Sequence, residues 1–405
     1  MTKLWKRGAD MKAMCPFCRM PFVTGERAVN YNGLLIHQEC AEEFASNLPS
    51  GEVSFKKEQV DAKIPSPKET KAYLDQYVIG QDEAKKTLSV ALYEHLKRAH
   101  GITKTEKSNV LMVGPTGTGK TLLAKTLAKM LDVPFVMADA TTLTESGYVG
   151  DDVECIISRL LAAAGGDASK AEKGIVCIDE IDKLAARHAT ANTSKDVSGQ
   201  GVQQALLKML EGSVVEVSAD GRGKKHPMQK GVEVNTSNIL FICCGAFPGL
   251  KEIAEKRQEQ KAIGFCAVKE KTESEIMQDL SPDDFIKFGM LPEFMGRLPI
   301  HTYLEEMTED TLIRILTEPK DCIVEQIRSS CDSEHVPLVV EDGALRAIAQ
   351  KALKEKTGAR GLRTILEDAM RDVYFEFPVK EKEVHIRTSG DGIEAILEDF
   401  ALTAF

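Results

Sequence analysis

The sequence predicts an α/β protein in three parts. A zinc-binding module comes first, then a large domain on an open parallel sheet with a phosphate-binding loop, then a smaller α+β C-terminal domain. Three observations predict this. Short apolar runs at 109–113, 174–178 and 239–243 alternate with amphipathic helical text, the pattern of strands buried on both faces of a parallel sheet. From about residue 306 the text becomes mostly helical. The first fifty residues hold two closely spaced pairs of metal-ligand residues.

In the first part, Cys15 and Cys18 form a CxxC pair, and His37 and Cys40 form an HxxC pair after an eighteen-residue gap. Zn2+ prefers four tetrahedral nitrogen and sulfur ligands, and two such knuckles supply them. Some twenty-five residues between the outer ligands are too few for a core, so metal would hold the module together. A closed four-ligand site leaves no position for substrate. The expected zinc is therefore structural, and the expected module, residues 1–47, is a docking surface. Residues 48–67 carry prolines and mixed charge without apolar periodicity and read as a linker.

The large domain is expected over 68–305. The run Asn109 to Val113 leads directly into Gly114, Pro115, Thr116, Gly117, Thr118, Gly119, Lys120 and Thr121, a complete GxxxxGK[ST] pattern followed by Leu122. Its glycines let backbone N–H groups turn around phosphate oxygens. Lys120 can reach the β- and γ-phosphates of ATP, and the Thr121 hydroxyl can ligate Mg2+. Leu123, Leu127, Met130 and Leu131 then give one apolar helix face. About sixty residues on, Gly174 to Ile178 reads as a second strand ending in Asp179 and Glu180. The first carboxylate suits the metal's water shell, and the second suits an attacking water. Together they imply hydrolysis and not nucleotide held as a plug. Ile239 to Cys243 is a third strand, and Val202, Ala205, Leu206, Met209 and Leu210 mark an amphipathic helix.

The small domain is expected over 306–405. Thr308 starts a helix carrying Leu312, Ile315 and Leu316, with Pro319 as its breaker. Leu362, Ile365, Leu366, Ala369, Met370 and Val373 form a long apolar face, and Val336–Val340 and Glu383–Arg387 read as short strands.

Composition narrows the functional class. The 405 residues carry 52 Lys and Arg against 62 Asp and Glu, a formal charge of −10, with 43% hydrophobic and 28% charged residues. That is globular composition with ample core material. The acidic total opposes a mainly electrostatic nucleic-acid binder. The longest nearly apolar stretch, Ile239 to Phe247, is about half the ~20 residues of a membrane helix. The first residues lack a continuous apolar run, so no secretory signal is expected. The prediction is a soluble, cytoplasmic protein without a membrane or nucleic-acid partner. Seven cysteines outside the knuckles, Cys155, Cys177, Cys243, Cys244, Cys266, Cys322 and Cys331, show no repeated spacing and read as free, buried thiols.

These motifs, in this order, resemble the AAA+ ATPases and, within them, the ClpX family of unfoldases that serve the ClpP peptidase. The segments carrying the resemblance are Tyr77–Lys86, Asp139–Gly150, Asp196–Gly212, Leu291–Pro299 and Thr357–Arg363. The resemblance implies that Val78 and Ile79 lie against adenine, although spacing alone shows an apolar start to a helix there. It makes Arg297 an arginine finger acting on the neighbouring subunit's γ-phosphate, and Arg360 the sensor arginine of the small domain. Both would supply planar cations to a transferring phosphoryl group. A finger acting in trans implies a ring, and the family implies a homohexamer.

By the same resemblance, Tyr148 and Val149 between Gly147 and Gly150 form a substrate-gripping pore loop. An aromatic between glycines suits contact with chains of any sequence. Lys224, Lys225 and His226 fall at a basic pore entrance, and Ile263, Gly264 and Phe265 match the tripeptide that docks on a ClpP-type peptidase. Departures from the family are His37 for a cysteine, Gln200 for a glutamate, Lys224 for an arginine and Cys244 for a glycine. They put adaptor choice, dimerisation of the zinc module and substrate handling in question, and suggest a divergent copy. The expected function is an ATP-dependent unfoldase and translocase threading tagged or unfolded proteins, with adaptors, into a separate peptidase. No nucleophile–base set for peptide cleavage is visible in this chain. The alternatives are a stand-alone remodelling chaperone and an AAA+ nucleic-acid motor.

Overall fold

The computed structural model describes residues 15, 17–21, 28–31, 34–40, 64–144, 151–185, 197–217, 231–261, 272–390 and 392–399. The chain divides into two compact units, Met1–Lys63 and Ile64–Phe405. In the first, β1 (Ala28–Tyr31) and β2 (Leu34–His37) pair antiparallel. This short ribbon delivers His37 at the end of β2, three residues before Cys40.

The second unit opens at α1 (Pro67–Asp75). Ser66 and Glu69 form a reciprocal capping box around its first turn, and proline occupies the first helical position, where its missing N–H costs nothing. Then follow α2 (Asp82–Ala99), β3 (Val110–Val113), α3 (Lys120–Leu131), β4 (Phe135–Asp139), α4 (Cys155–Ala163) and β5 (Ile175–Asp179). The large domain continues through α5 (Val197–Glu211), β6 (Leu240–Gly245), α6 (Leu250–Lys261), α7 (Pro282–Phe288), α8 (Pro292–Gly296) and β7 (Ile300–Tyr303). The sheet order is β7-β3-β6-β5-β4, every neighbouring pair parallel.

Strand alternation sorts the sheet's side chains into two cores. Leu111, Val113, Val176, Ile178, Phe241 and Cys243 pack on one face, with α4 and α5 contributing Ile156, Leu160, Leu206 and Leu210. Val110, Met112, Ile175, Cys177, Ile242 and Cys244 pack on the other, against Leu88 and Leu92 of α2 and Leu123 and Leu127 of α3. Each fully buried side chain of this size contributes ~1.5–3 kcal/mol. Both faces being covered is why the central strands read as unbroken apolar runs. The sheet's edges, β4 and β7, are mixed in burial and in text, and their strand pattern is correspondingly faint in the sequence.

The small domain has its own core. It comprises α9 (Glu309–Thr317), α10 (Ile323–Ser333), β8 (Leu338–Val340), α11 (Asp342–Lys354), α12 (Ala359–Glu376), β9 (Lys382–Ser389) and β10 (Gly392–Asp399). Thr308 caps α9 through the N–H of Thr311, as its position before the apolar run implies. Leu362, Ile365, Leu366, Met370 and Val373 of α12 are buried among Leu312, Leu316, Ile348 and Val384. The sheet runs β8-β9-β10, with β10 adding a strand beyond the two that the sequence suggests.

Candidate functional site

The phosphate-binding loop leaves the carboxyl end of β3, and the acidic pair leaves the carboxyl end of β5, with β6 between those two strands. That end of an open α/β sheet is where ligands bind. A cavity of about 370 Å³ opens there, lined by Thr116, Gly117, Gly119, Lys120, Thr121, Leu122, Asp179, Glu180, Asp182, Lys183, Ala246, Ala359 and Arg360. Residues distant in sequence thus meet at one place, including Arg360 from the small domain.

Lys120 is the first residue of α3 and is buried. Its Nζ donates to the Gly114 carbonyl at 2.5 Å and to the Pro115 carbonyl at 2.8 Å, folding the side chain back across its own loop. Burial pulls its pKa below the usual lysine value, so an incoming phosphate gains a poorly solvated cation as partner. The Thr121 hydroxyl donates to Asp179 Oδ2 at 2.9 Å, and the Glu180 N–H donates to Asp179 Oδ1 at 2.9 Å. Glu180 itself sits at φ 57°, a left-handed conformation that costs a non-glycine residue energy and recurs at functional positions. It turns the chain sharply at the strand end, where a short 3-10 turn carries Asp182.

Hard oxygen donors from Thr121 and Asp179 fit Mg2+, which prefers a few protein oxygens and completes its shell with water and phosphate. ATP fits the cavity's mix of loop backbone, lysine and arginine. Asp182, Lys183, Ala246 and Ala359 are lining residues that motif reading did not single out. Asp182 Oδ1 accepts the Ala246 N–H at 3.2 Å, tying the acidic strand end to the end of β6. Its position two residues beyond Glu180 was the available signal.

Other residues lie elsewhere. Gly114, Pro115 and Thr118 belong to the loop but do not line the cavity; Thr118 is buried and donates to the Pro115 carbonyl. Val78 is packed in the core with Leu74 and Leu88, and Ile79 is buried beside it; neither lines the cavity. Arg297 stands outside it, its guanidinium paired with Glu211 at 2.9 Å. Tyr148, Val149, Lys224, Lys225, His226, Ile263, Gly264 and Phe265 lie outside the described residues.

In the first unit, Cys15, Cys18, His37 and Cys40 converge, with one ligand atom of each within 4.8 Å of all the others. Cys18 Sγ lies 3.1 Å from His37 Nδ1. Burial would raise the Cys15 thiol, but N–H groups of Cys18, His37 and Phe17 directed at its sulfur bring it down to about 6. In the same cluster, burial and the neighbouring Cys18 and Cys15 sulfurs push Cys40 up to about 11, so the first thiolate opposes the others and a bound cation would have to displace the remaining protons. Three sulfurs and one imidazole nitrogen at this spacing fit tetrahedral Zn2+. The other described cysteines are free thiols. Cys177 and Cys244, on neighbouring strands, place their sulfurs 3.7 Å apart. Among the described residues, no helix is long and apolar enough to cross a membrane.

Residues 105–301 match the family described as AAA domain (Cdc48 subfamily), and residues 307–389 match the C-terminal, D2-small domain, of ClpB protein. The chain is 48% identical over 376 residues to a Treponema denticola protein called ATP-dependent Clp protease ATP-binding subunit ClpX, covering 90% of each. Proteins of the same name from Borrelia duttonii and Borrelia recurrentis are each 49% identical over 338 residues, covering 82% of this chain and 79% of theirs.

Proposed function

Because the chain belongs to the ClpX family of AAA+ ATPases, we propose that it hydrolyses ATP to unfold proteins and thread them into a ClpP-type peptidase. It is an ATPase, with ATP and Mg2+ as cofactors. The observation that carries this reading is the single cavity joining Lys120, Thr121, Asp179, Glu180 and Arg360. A binding-only scaffold would not need a second carboxylate beside the metal-ligating one.

The residues divide the chemistry as follows. Lys120 leaves the Gly114 and Pro115 carbonyls and pairs with phosphate oxygens. Thr121 and Asp179 would hold Mg2+, which would supply charge neutralisation for the triphosphate. Glu180 orients a water and accepts its proton as attack begins. Arg360 brings cationic charge from the small domain, and Arg297 brings it to the adjacent subunit's site in a homohexameric ring. On this reading each charge would meet negative charge displaced in the transition state and so lower the barrier and not merely the binding energy.

The mechanical half of the reading assigns Tyr148 and Val149 to gripping substrate, Lys224, Lys225 and His226 to the pore entrance, and Ile263, Gly264 and Phe265 to docking on the peptidase. By the family resemblance alone Val78 and Ile79 would border the adenine base, both being buried and outside the cavity that holds the phosphate-loop residues. The zinc module, held by Cys15, Cys18, His37 and Cys40, would recruit substrates and adaptors and could pair with another copy. A cytoplasmic location accords with this role.

The test supplies ATP and a tagged, folded substrate with and without a ClpP-type peptidase, following loss of fold and peptide release. Lys120→Ala should abolish ATP binding, whereas Glu180→Gln should bind ATP and stop turnover. Wild-type hydrolysis in Glu180→Gln would refute the catalytic assignment. Undiminished unfolding without ATP would refute the motor.

A further inference from the structure

Arg297 and the elements around it form a cluster separate from the nucleotide cavity. The residue follows α8 directly as its C-cap. Its Nε donates to Glu211 Oε1 at 3.1 Å, and its second guanidinium nitrogen reaches the same oxygen at 2.9 Å. Glu211 is the last residue of α5. The side chains are 48% and 42% exposed, and ion pairs in such positions contribute little to stability. What the pair does supply is direction, because two nitrogens meeting one oxygen set the guanidinium at the end of α5.

The backbone of Arg297 is held as well. Asn109 Nδ2 donates to the Arg297 carbonyl at 2.8 Å and to the Leu210 carbonyl at 3.2 Å. Asn109 is completely buried, and its Oδ1 has no hydrogen-bond partner among the described residues. A buried polar atom left unpaired is unfavourable. Only a carboxamide nitrogen presents two donors in this position; a carboxylate would face two carbonyls, and an aliphatic residue would strand both. Lys107, two residues earlier, donates to the Met209 and Thr236 carbonyls and so fastens the same end of α5.

We propose that Glu211 and Asn109 are positioning residues that aim Arg297 at the nucleotide of a neighbouring subunit. The proposal rests on the reading of Arg297 as a finger acting in trans. Glu211 fixes the guanidinium, and Asn109 fixes the backbone from which it projects. Neither touches the chain's own nucleotide cavity, so neither contributes to ATP binding within its own subunit. Loss of either leaves the finger present but poorly aimed.

The experiment measures steady-state ATPase and binding of a fluorescent ATP analogue on the full-length chain. Glu211→Ala carries the test, since an exposed side chain can be removed without unfolding the core. Removing an arginine finger lowers turnover by ~10³–10⁵-fold, and misplacing a catalytic group costs on the order of 10²-fold. Glu211→Ala and Asn109→Leu should therefore lower kcat by about 10–100-fold, less than Arg297→Ala does. Analogue affinity should stay within about twofold of the parent, a split that general destabilisation does not produce. Glu211→Gln, which keeps an acceptor oxygen, should recover part of the loss.

Mixing Glu211→Ala chains with Glu180→Gln chains should raise turnover above either alone, because the second chain lends a properly aimed finger. Turnover that stays unrescued on mixing would overturn the proposal by locating the defect in cis. Normal kcat in Glu211→Ala beside a crippled Arg297→Ala would overturn it while leaving the finger intact. Normal kcat in Arg297→Ala would remove the finger reading itself, and the proposal with it.

Discussion

Replacing Gly117 by alanine should separate the small domain from the phosphate-binding loop. Gly117 sits at φ +82°, and a Cβ there would lie 2.7 Å from the Thr357 carbonyl oxygen, 3.1 Å from Gly358 Cα and 3.3 Å from the Ala359 nitrogen. All three are backbone atoms, so no side-chain rotation relieves the clash. An ordinary contact of 3.4 Å requires the two backbones to part by about 0.7 Å. The positive φ costs an L-residue ~1–2 kcal/mol, and overpacking costs ~1–3 kcal/mol. The Ala359 N–H also donates to the Gly117 carbonyl at 3.3 Å, a bond worth ~1 kcal/mol that the separation would break. We predict a total loss of about 3–6 kcal/mol. Gly165→Ala is the control, because Gly165 has φ +68° and open space around it, so it bears only the backbone term. Thermal unfolding of nucleotide-free protein should show Gly117→Ala melting several degrees below Gly165→Ala. Arg360 continues the same backbone into the cavity, so ATP affinity should fall by roughly tenfold, equivalent to ~1.4 kcal/mol. Equal melting temperatures for the two variants, or parental ATP affinity in Gly117→Ala, would refute the contact's role.

Tyr148→Ala should keep ATP turnover but unfold stable substrates poorly, and Phe265→Ala should keep both activities while losing peptidase-coupled degradation; parent-like degradation of a stable substrate by either would remove its assignment. Metal analysis of the full chain should find about one zinc, lost with Cys15→Ser or His37→Ala while basal ATPase persists; zinc retained in both variants would contradict the four-ligand site. Burial, then the charges of Arg98 and Lys107, push His95 down to about 3 from an ordinary 6.5. The native imidazole thus stays neutral where the unfolded one takes up a proton, so its contribution is complete above pH 6.5 and is lost as pH falls toward 3. His95→Gln should flatten this part of the stability curve measured by urea unfolding, and an unchanged slope would count against a buried neutral His95.

Legibility in the sequence followed locality and burial. The phosphate-binding loop is contiguous, so its pattern alone announced a strand, a turn and a helix, and the structure has all three. The three central strands were legible because helices cover both their faces. At the edges, β4 alternates buried and exposed residues, and β7 is the mixed run Ile300-His301-Thr302-Tyr303. β10 packs Ile393, Ala395 and Leu397 on the small-domain core, but Ile396 falls with Glu394 and Glu398 on its other face and residues Gly392 to Glu398 are all half-buried, so the alternation is blurred. Partners far apart in sequence left no local trace. Glu211 lies 86 residues from Arg297, and nothing in either segment names the other.

The architecture also explains why one short strand matters so much. Val110 to Val113 is four residues long, about 13 Å at 3.3 Å per residue, and fully buried. Its carboxyl end becomes the loop that meets phosphate in its own subunit. Asn109, at its amino end, holds the backbone of Arg297, the residue proposed to serve the subunit next door. β7 and β6 clamp it on both sides with in-register parallel pairing, so its two ends are held in one rigid frame. On the proposed reading of Arg297, two catalytic contributions made to different subunits would be fixed to opposite ends of the same element.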